Sequence, residues 1–271
     1  MRSIFLVLLL LRAGMACAAH VDTVGVYSSS MHKSIKTVVV LPDGYNQDKH
    51  YPVVYLLHGH GGSYADFIRN IPGIAQDADA YHIIIVCPDG RINSWYFDSP
   101  VDTSSHYETF VSSELVQWVD DHYSTIRNRS GRAITGLSMG GHGALYLSFR
   151  HQDVYGAAGA MSGGVDLRPF PDNWNIKDQL GPYDKNPERW DTHSVVNLVY
   201  LLHPNTLPLA LIFDCGTDDF FYKVNVNLHN LLLERNIPHD FITRPGAHNW
   251  NYWSNSIRYQ LLFFNRFFQH S

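Results

Sequence analysis

Short runs of consecutive apolar residues, many of them β-branched, recur along the chain. Each is followed by turn-forming residues and then by a stretch with helical spacing. The runs fall at residues 37–41, 53–58, 83–88, 133–137, 157–162, 209–215 and 241–244. Several are apolar on successive positions and read as strands buried on both faces, the condition of a parallel sheet covered by helices. Between them, Val111, Leu115, Trp118, Val119 and His122 fall on one helical face, and Val224, Leu228, Leu231 and Leu232 on another. Near the C-terminus, Trp253, Ile257, Leu261, Phe264 and Phe268 make a third stripe. Strand–helix alternation of this kind predicts a doubly wound α/β sheet.

The alternation fails over residues 165–207, a stretch rich in Pro, Asp and Asn. It is too long for a plain loop in a compact domain. It is expected to be an insertion with short helices, lying over the carboxyl edge of the sheet where open α/β folds bind ligands. At the other extreme, residues 4–11 are an unbroken apolar run after Arg2, followed by small residues up to Ala19. That run is too short to cross a bilayer and has the form of an export leader. The expectation is a signal peptide over 1–19, a single domain over 20–271, and a periplasmic or secreted product. Cys17 offers lipid attachment as an alternative, although Gly14-Met15-Ala16 before it makes a poor lipidation signal.

Composition narrows the partners. The chain carries 20 basic and 25 acidic residues; without Arg2 and Arg12 the balance is 18 against 25, a formal charge of −7. An acidic, unclustered surface argues against nucleic acid or an anionic membrane as partner. No later run is long enough to span a membrane.

The candidate chemistry centres on "ITGLSMGGHGAL", where Ser138 has Gly136 and Gly140 on either side. Chance supplies such a pattern often enough that its context must decide. The residues before Ser138 are strand-like and those after it helix-like, which is the setting of a nucleophile elbow. A serine hydroxyl needs a base, and the base an orienting acid, in the order Ser, acid, His. His248 in "GAHNWNYW" follows the last strand run and is the candidate base. For the acid, Asp214, Asp218 and Asp219 in "DCGTDDFF" all remain open, with Asp214 placed inside the strand. Two backbone N–H groups are needed for an oxyanion, and the candidates are Met139, next to the serine, and His60 in "LLHGHGGS". His58 and His60 could also read as metal ligands, but no third ligand at a recognisable spacing accompanies them, so no metal and no cofactor are expected.

Six blocks, "YLLHGHGGSYADF", "CPDGRINSWYFDSP", "YETFVSSELVQWVDDHY", "ITGLSMGGHGAL", "DCGTDDFF" and "GAHNWNYW", resemble in order an esterase family. It takes in esterase D (S-formylglutathione hydrolase), the feruloyl and acetylxylan esterases of carbohydrate esterase family 1, and the antigen 85 mycolyltransferases. The resemblance covers residues 38–268 and implies an α/β-hydrolase fold with a Ser-His-acid triad. By position it implies Ser138 as nucleophile, His248 as base and Asp219 as acid, with His60 and Met139 at the oxyanion. Through "NSWYFDSP" it implies that Ser94, Trp95 and Tyr96 help line the site. The strand order it implies holds Cys87 and Cys215 too far apart for a disulfide, so both are expected free and buried. The expected reaction is hydrolysis of carboxylic esters, feruloyl or acetyl on carbohydrate or short-chain acyl, on a small-molecule or polysaccharide substrate. Acyl transfer of the antigen 85 kind, thioester hydrolysis of the S-formylglutathione kind, and a non-catalytic binding protein on the same scaffold are the alternatives.

Overall fold

The computed structural model describes residues 19–270; the expected leader, Cys17 included, lies outside the described residues except for Ala19. Eight strands form one sheet in the order β1-β2-β4-β3-β5-β6-β7-β8. They are β1 (His20–Ser28), β2 (Lys33–Leu41), β3 (Val53–Leu57), β4 (Ile84–Pro88), β5 (Arg132–Gly136), β6 (Ala157–Met161), β7 (Ala210–Gly216) and β8 (Asp240–Arg244). β1 and β2 are antiparallel to their neighbours, and every other pairing is parallel. The expected strand runs coincide with β2 to β8 to within a few residues. β3, β4, β5 and β6 are buried at every position; β3, β4 and β6 are apolar or small throughout, while in β5 Arg132 is paired with Asp120 and Thr135 with Gln260.

The helices divide between the two faces. On one face lie α1 (Asp66–Asn70), α2 (Ile74–Tyr81) and α9 (Trp250–His270), which share a core with Val38, Val40, Val54, Leu56 and Ile85 of the sheet. On the other lie α4 (Leu115–His122), α5 (Met139–Arg150) and α8 (Tyr222–Glu234), packed with Val39, Tyr55, Val86 and Ile134. Because successive strand side chains alternate, neighbouring valines and isoleucines of one strand serve the two cores in turn. The stripe predicted for α9 is seen, with Trp253, Ile257, Leu261 and Phe264 buried. Each such side chain contributes roughly 1.5–3 kcal/mol on burial.

Two details depart from expectation. The helix ahead of α4 starts as α3 (Tyr107–Thr109) and opens into a π turn over Phe110–Glu114 before Leu115. The extra residue rotates the later face. Trp118 is half-buried at the margin of the core and His122 is exposed, and the two rings stack on each other at 4.0 Å. The second departure is β1, whose sequence alternates small, polar and apolar residues and is mostly exposed. It is held by Glu114 of the π turn, which accepts from Ser28 Oγ (2.6 Å), Ser29 Oγ (2.7 Å) and Ser30 N–H (2.7 Å).

Residues 165–207 form short helices, α6 (Ile176–Leu180) and α7 (Pro187–His193), with 3-10 turns. Cys87 in β4 and Cys215 in β7 are both buried and unpaired. Four strand positions separate β4 from β7, about 19 Å at ~4.8 Å per strand.

Candidate active site

Ser138 sits between β5 and α5 with φ 56° and ψ −117°, a strained conformation for a residue with a side chain. The turn is fixed by Ser138 N–H donating to the Met161 carbonyl (2.9 Å) and Gly140 N–H to Leu137 (2.8 Å). Gly140 is obligatory: a Cβ there would lie 1.9 Å from the Leu57 carbonyl oxygen. The serine hydroxyl thus stands at the carboxyl end of the parallel strands, at the head of α5, whose N-terminal N–H groups favour a developing anion.

His248 follows β8 and precedes α9. Its Nε2 lies 2.9 Å from Ser138 Oγ and its Nδ1 2.8 Å from Asp219 Oδ2. With Nδ1–H donating to the carboxylate, Nε2 is left to accept the serine proton. Asp219 is set by its own turn: the carboxylate also accepts Phe221 N–H at 2.8 Å, and its side chain is fully buried. The other two aspartates go elsewhere. Asp218 is exposed. Asp214 is buried within β7, where it accepts from Ser256 Oγ (2.6 Å) and Gln260 Nε2 (2.8 Å), with Arg244 at 3.7 Å. Burial raises its pKa against those opposing contacts.

The loop after β3 brings His60 to the same cleft as Ser138. The backbone N–H groups of His60 and Met139 have no hydrogen-bond partner among the described residues. His60 Nε2 lies 3.2 Å from Asn175 Oδ1, which joins this loop to the insertion. Under the loop is His58, a residue whose role the sequence left ambiguous. Its Nδ1–H donates to the Gly59 carbonyl (2.8 Å) and its Nε2 accepts Gly90 N–H (2.7 Å). Both ring nitrogens are used by the neutral tautomer, and burial lowers the pKa accordingly.

Ser94, Trp95 and Tyr96 do not line the cleft, contrary to expectation. All three are fully buried. Trp95 and Tyr96 both have positive φ (52° and 61°), which turns their rings inward. Tyr96 O–H donates to the His58 carbonyl (3.1 Å), and Trp95 Nε1–H donates to the Trp174 carbonyl (3.1 Å). Ser94 Oγ accepts Tyr96 N–H (3.1 Å) and shapes the turn. The block therefore acts one layer behind the site, holding the His58 loop with one ring and the insertion with the other.

The cleft has a volume of about 300 Å³ and is lined by Gly59 to Gly62, Asp66, Leu137, Ser138, Trp174, His248, Trp250 and Trp253. The aromatic and acidic members were not singled out in the sequence as site residues, although Trp253 was placed on the C-terminal helical stripe. Trp250 and Trp253 were visible in "GAHNWNYW", whereas Trp174 and Asp66 stand in no pattern that marks them.

A family model described as "Putative esterase" matches residues 28–264. An esterase of Mycobacterium tuberculosis is 38% identical over 135 residues, 48% of this chain and 29% of the relative, so the chain spans less than a third of that protein's length. An acetyl esterase of Caldicellulosiruptor saccharolyticus is 25% identical over 249 residues, covering 85% of this chain and 92% of that one. Among solved structures, a ferulic acid esterase superposes with a TM-score of 0.80 at 28% identity, over 93% of this chain and 99% of the other. With its mostly parallel sheet, its strand–Ser138–helix turn and a family match over most of its length, the chain belongs to the putative esterase family of α/β hydrolases.

Proposed function

We propose that the protein is an exported serine esterase that hydrolyses carboxylic esters through an acyl-enzyme. The observation that carries this reading is the unbroken line from Ser138 Oγ through His248 to the buried Asp219 carboxylate, at 2.9 and 2.8 Å. In this reading His248 Nε2 takes the Ser138 proton as the oxygen attacks the ester carbonyl. Asp219 holds the imidazole and stabilises its positive charge, and the N–H groups of His60 and Met139 bind the tetrahedral oxyanion. His248 then returns the proton to the leaving alcohol, and water, activated by the same imidazole, cleaves the acyl-enzyme. The proposed substrates are feruloyl or acetyl esters of carbohydrate, together with short-chain acyl esters. The aromatic lining of the cleft and the names of the acetyl esterase and ferulic acid esterase relatives support that range. The leader-like N-terminus supports export.

A fluorophosphonate probe is expected to label Ser138 in the wild type and not in Ser138→Ala. The variant is expected to lose p-nitrophenyl acetate turnover by several orders of magnitude with an unchanged circular dichroism spectrum. Near wild-type turnover in Ser138→Ala would remove the assignment.

A further inference from the structure

The far end of α5 opens on a second cavity that shares no lining residue with the cleft. Arg150 closes this 12-residue helix, about 18 Å along its axis from the Ser138 end. The cavity lies between Arg150, the π turn over Phe110–Glu114 and the end of α7 in the insertion. Its volume is about 630 Å³, a size at which small molecules are held.

Its polar groups are unequally satisfied. Both carboxylates are spent. Glu108 Oε1 accepts from Arg150 Nε and His151 Nε2, and its Oε2 from Tyr146 O–H. Asp98 takes the N–H and the hydroxyl of Thr109. Other groups are left over. The Arg150 guanidinium lies 5.2 Å above the Tyr146 ring and is bonded only through Nε, so Nη1 and Nη2 have no hydrogen-bond partner among the described residues. His193 Nδ1–H donates to the Arg189 carbonyl (2.7 Å), which leaves Nε2 an acceptor without a donor among the described residues. Burial lowers the His193 pKa and keeps that acceptor neutral. Ser112 is only 5% exposed, yet its Oγ has no partner in hydrogen-bond geometry among the described residues. The Tyr155 hydroxyl is near but gives its proton to the Val111 carbonyl (3.1 Å). A buried hydroxyl left unmet is costly. The π turn is what carries this one to the cavity, and such turns are frequent at functional sites.

The unmet groups describe a ligand. A guanidinium with two free parallel N–H groups matches a carboxylate. The buried hydroxyl and the imidazole acceptor match alcohols. Glu108 and Asp98, both negative, disfavour a doubly charged group such as phosphate at the same place, and a single negative charge fits better.

We propose that this cavity binds a hydroxylated monocarboxylate of the sugar-acid class, with its carboxylate on Arg150 Nη1 and Nη2 and its hydroxyls on Ser112 Oγ and His193 Nε2. The site stands apart from the chemistry at Ser138 and does not depend on the esterase reading.

Isothermal titration of the protein with galacturonate, galactose and inorganic phosphate tests this. Galactose differs from galacturonate only in lacking the carboxylate. Galacturonate is expected to bind at least about tenfold more tightly than either of the others. Arg150→Lys keeps the charge and loses the fork, and is expected to weaken galacturonate about tenfold. Ser112→Ala is expected to weaken it about fivefold. Because the deleted hydroxyl has no partner, Ser112→Ala is also expected to keep or raise Tm, so its effect on binding cannot come from unfolding; circular dichroism checks both variants. A wild type that does not bind galacturonate overturns the proposal. So does galactose or phosphate binding as tight as that of galacturonate, and so does full retention of binding in folded Ser112→Ala and Arg150→Lys.

Discussion

At the scale of single residues, the burial of Asp219 and the exposure of Asp218 separate two aspartates that adjoin in sequence. Asp219→Asn removes the charge that holds His248 Nδ1–H and is expected to lower kcat on the order of 10³–10⁴-fold. Asp218→Asn, at the surface, is expected to change kcat/KM by less than about twofold. Steady-state kinetics on p-nitrophenyl acetate checks both, and equal losses would contradict the geometry. Tyr96 offers a finer probe. Tyr96→Phe deletes only the hydroxyl that donates to the His58 carbonyl, a bond worth about 1 kcal/mol. The expected outcome is a fall of roughly fivefold in kcat with KM little changed. A change confined to KM would place Tyr96 in substrate binding instead.

Among elements, Glu108 shows what joins the helices on one side of the sheet. From α3 it reaches three side chains of α5 and its end: Tyr146 O–H at 2.9 Å, Arg150 Nε at 2.7 Å and His151 Nε2 at 2.9 Å. Burial alone would raise its pKa, but the bonds from His151 and Arg150 outweigh it and bring the carboxyl down to about 2. A carboxylate whose folded pKa lies below its unfolded value stabilises the fold above ~4.3, and that stability is lost as pH falls toward the folded pKa. Glu108→Gln is thus expected to lower Tm at pH 7 and to lessen the further fall in Tm between about pH 4.5 and 2, measured by calorimetry. The elements themselves were largely legible in the sequence. β3, β4 and the first half of β7 carry consecutive apolar residues because both faces are covered, and that pattern survives reading in one dimension. β1 was not legible, since an edge strand pinned by Glu114 needs no apolar run. The π turn was not legible either, because it shifts a helix face without altering its composition. In the site, Ser138 and His248 stood out because a strained turn and a strand end impose local glycine patterns, whereas among Asp214, Asp218 and Asp219 the residues alone did not choose and the family resemblance pointed to Asp219. Ser94, Trp95 and Tyr96 were placed in the right neighbourhood but the wrong layer. Whether a ring faces a cleft or the core depends on two positive-φ residues that no spacing rule reveals.

On the scale of the whole molecule, the parallel sheet keeps Cys87 and Cys215 four strands apart. Unfolding residues 20–271 without reductant should expose two thiols per chain to a thiol reagent, and finding none would contradict the strand order. Acid should act on several parts of the fold together. Burial holds His142 near neutrality down to about 3 and lowers His58 as well. In the unfolded chain both take up protons near 6.5, so the unfolded state binds more protons below that pH and stability falls as pH drops. Melting curves from pH 7 to 4 should show this decline, and His142→Gln should flatten it. The ends of the chain carry a different consequence. His20 pairs with Leu41, next to the amino ends of the parallel strands. α9 begins at the cleft with Trp250 and runs 21 residues, about 31 Å, so that Phe267 packs at Gly156, just before β6. Both described ends therefore leave the molecule on the side away from Ser138. A support or a fused module joined at either end would hold the cleft facing outward, away from the point of attachment.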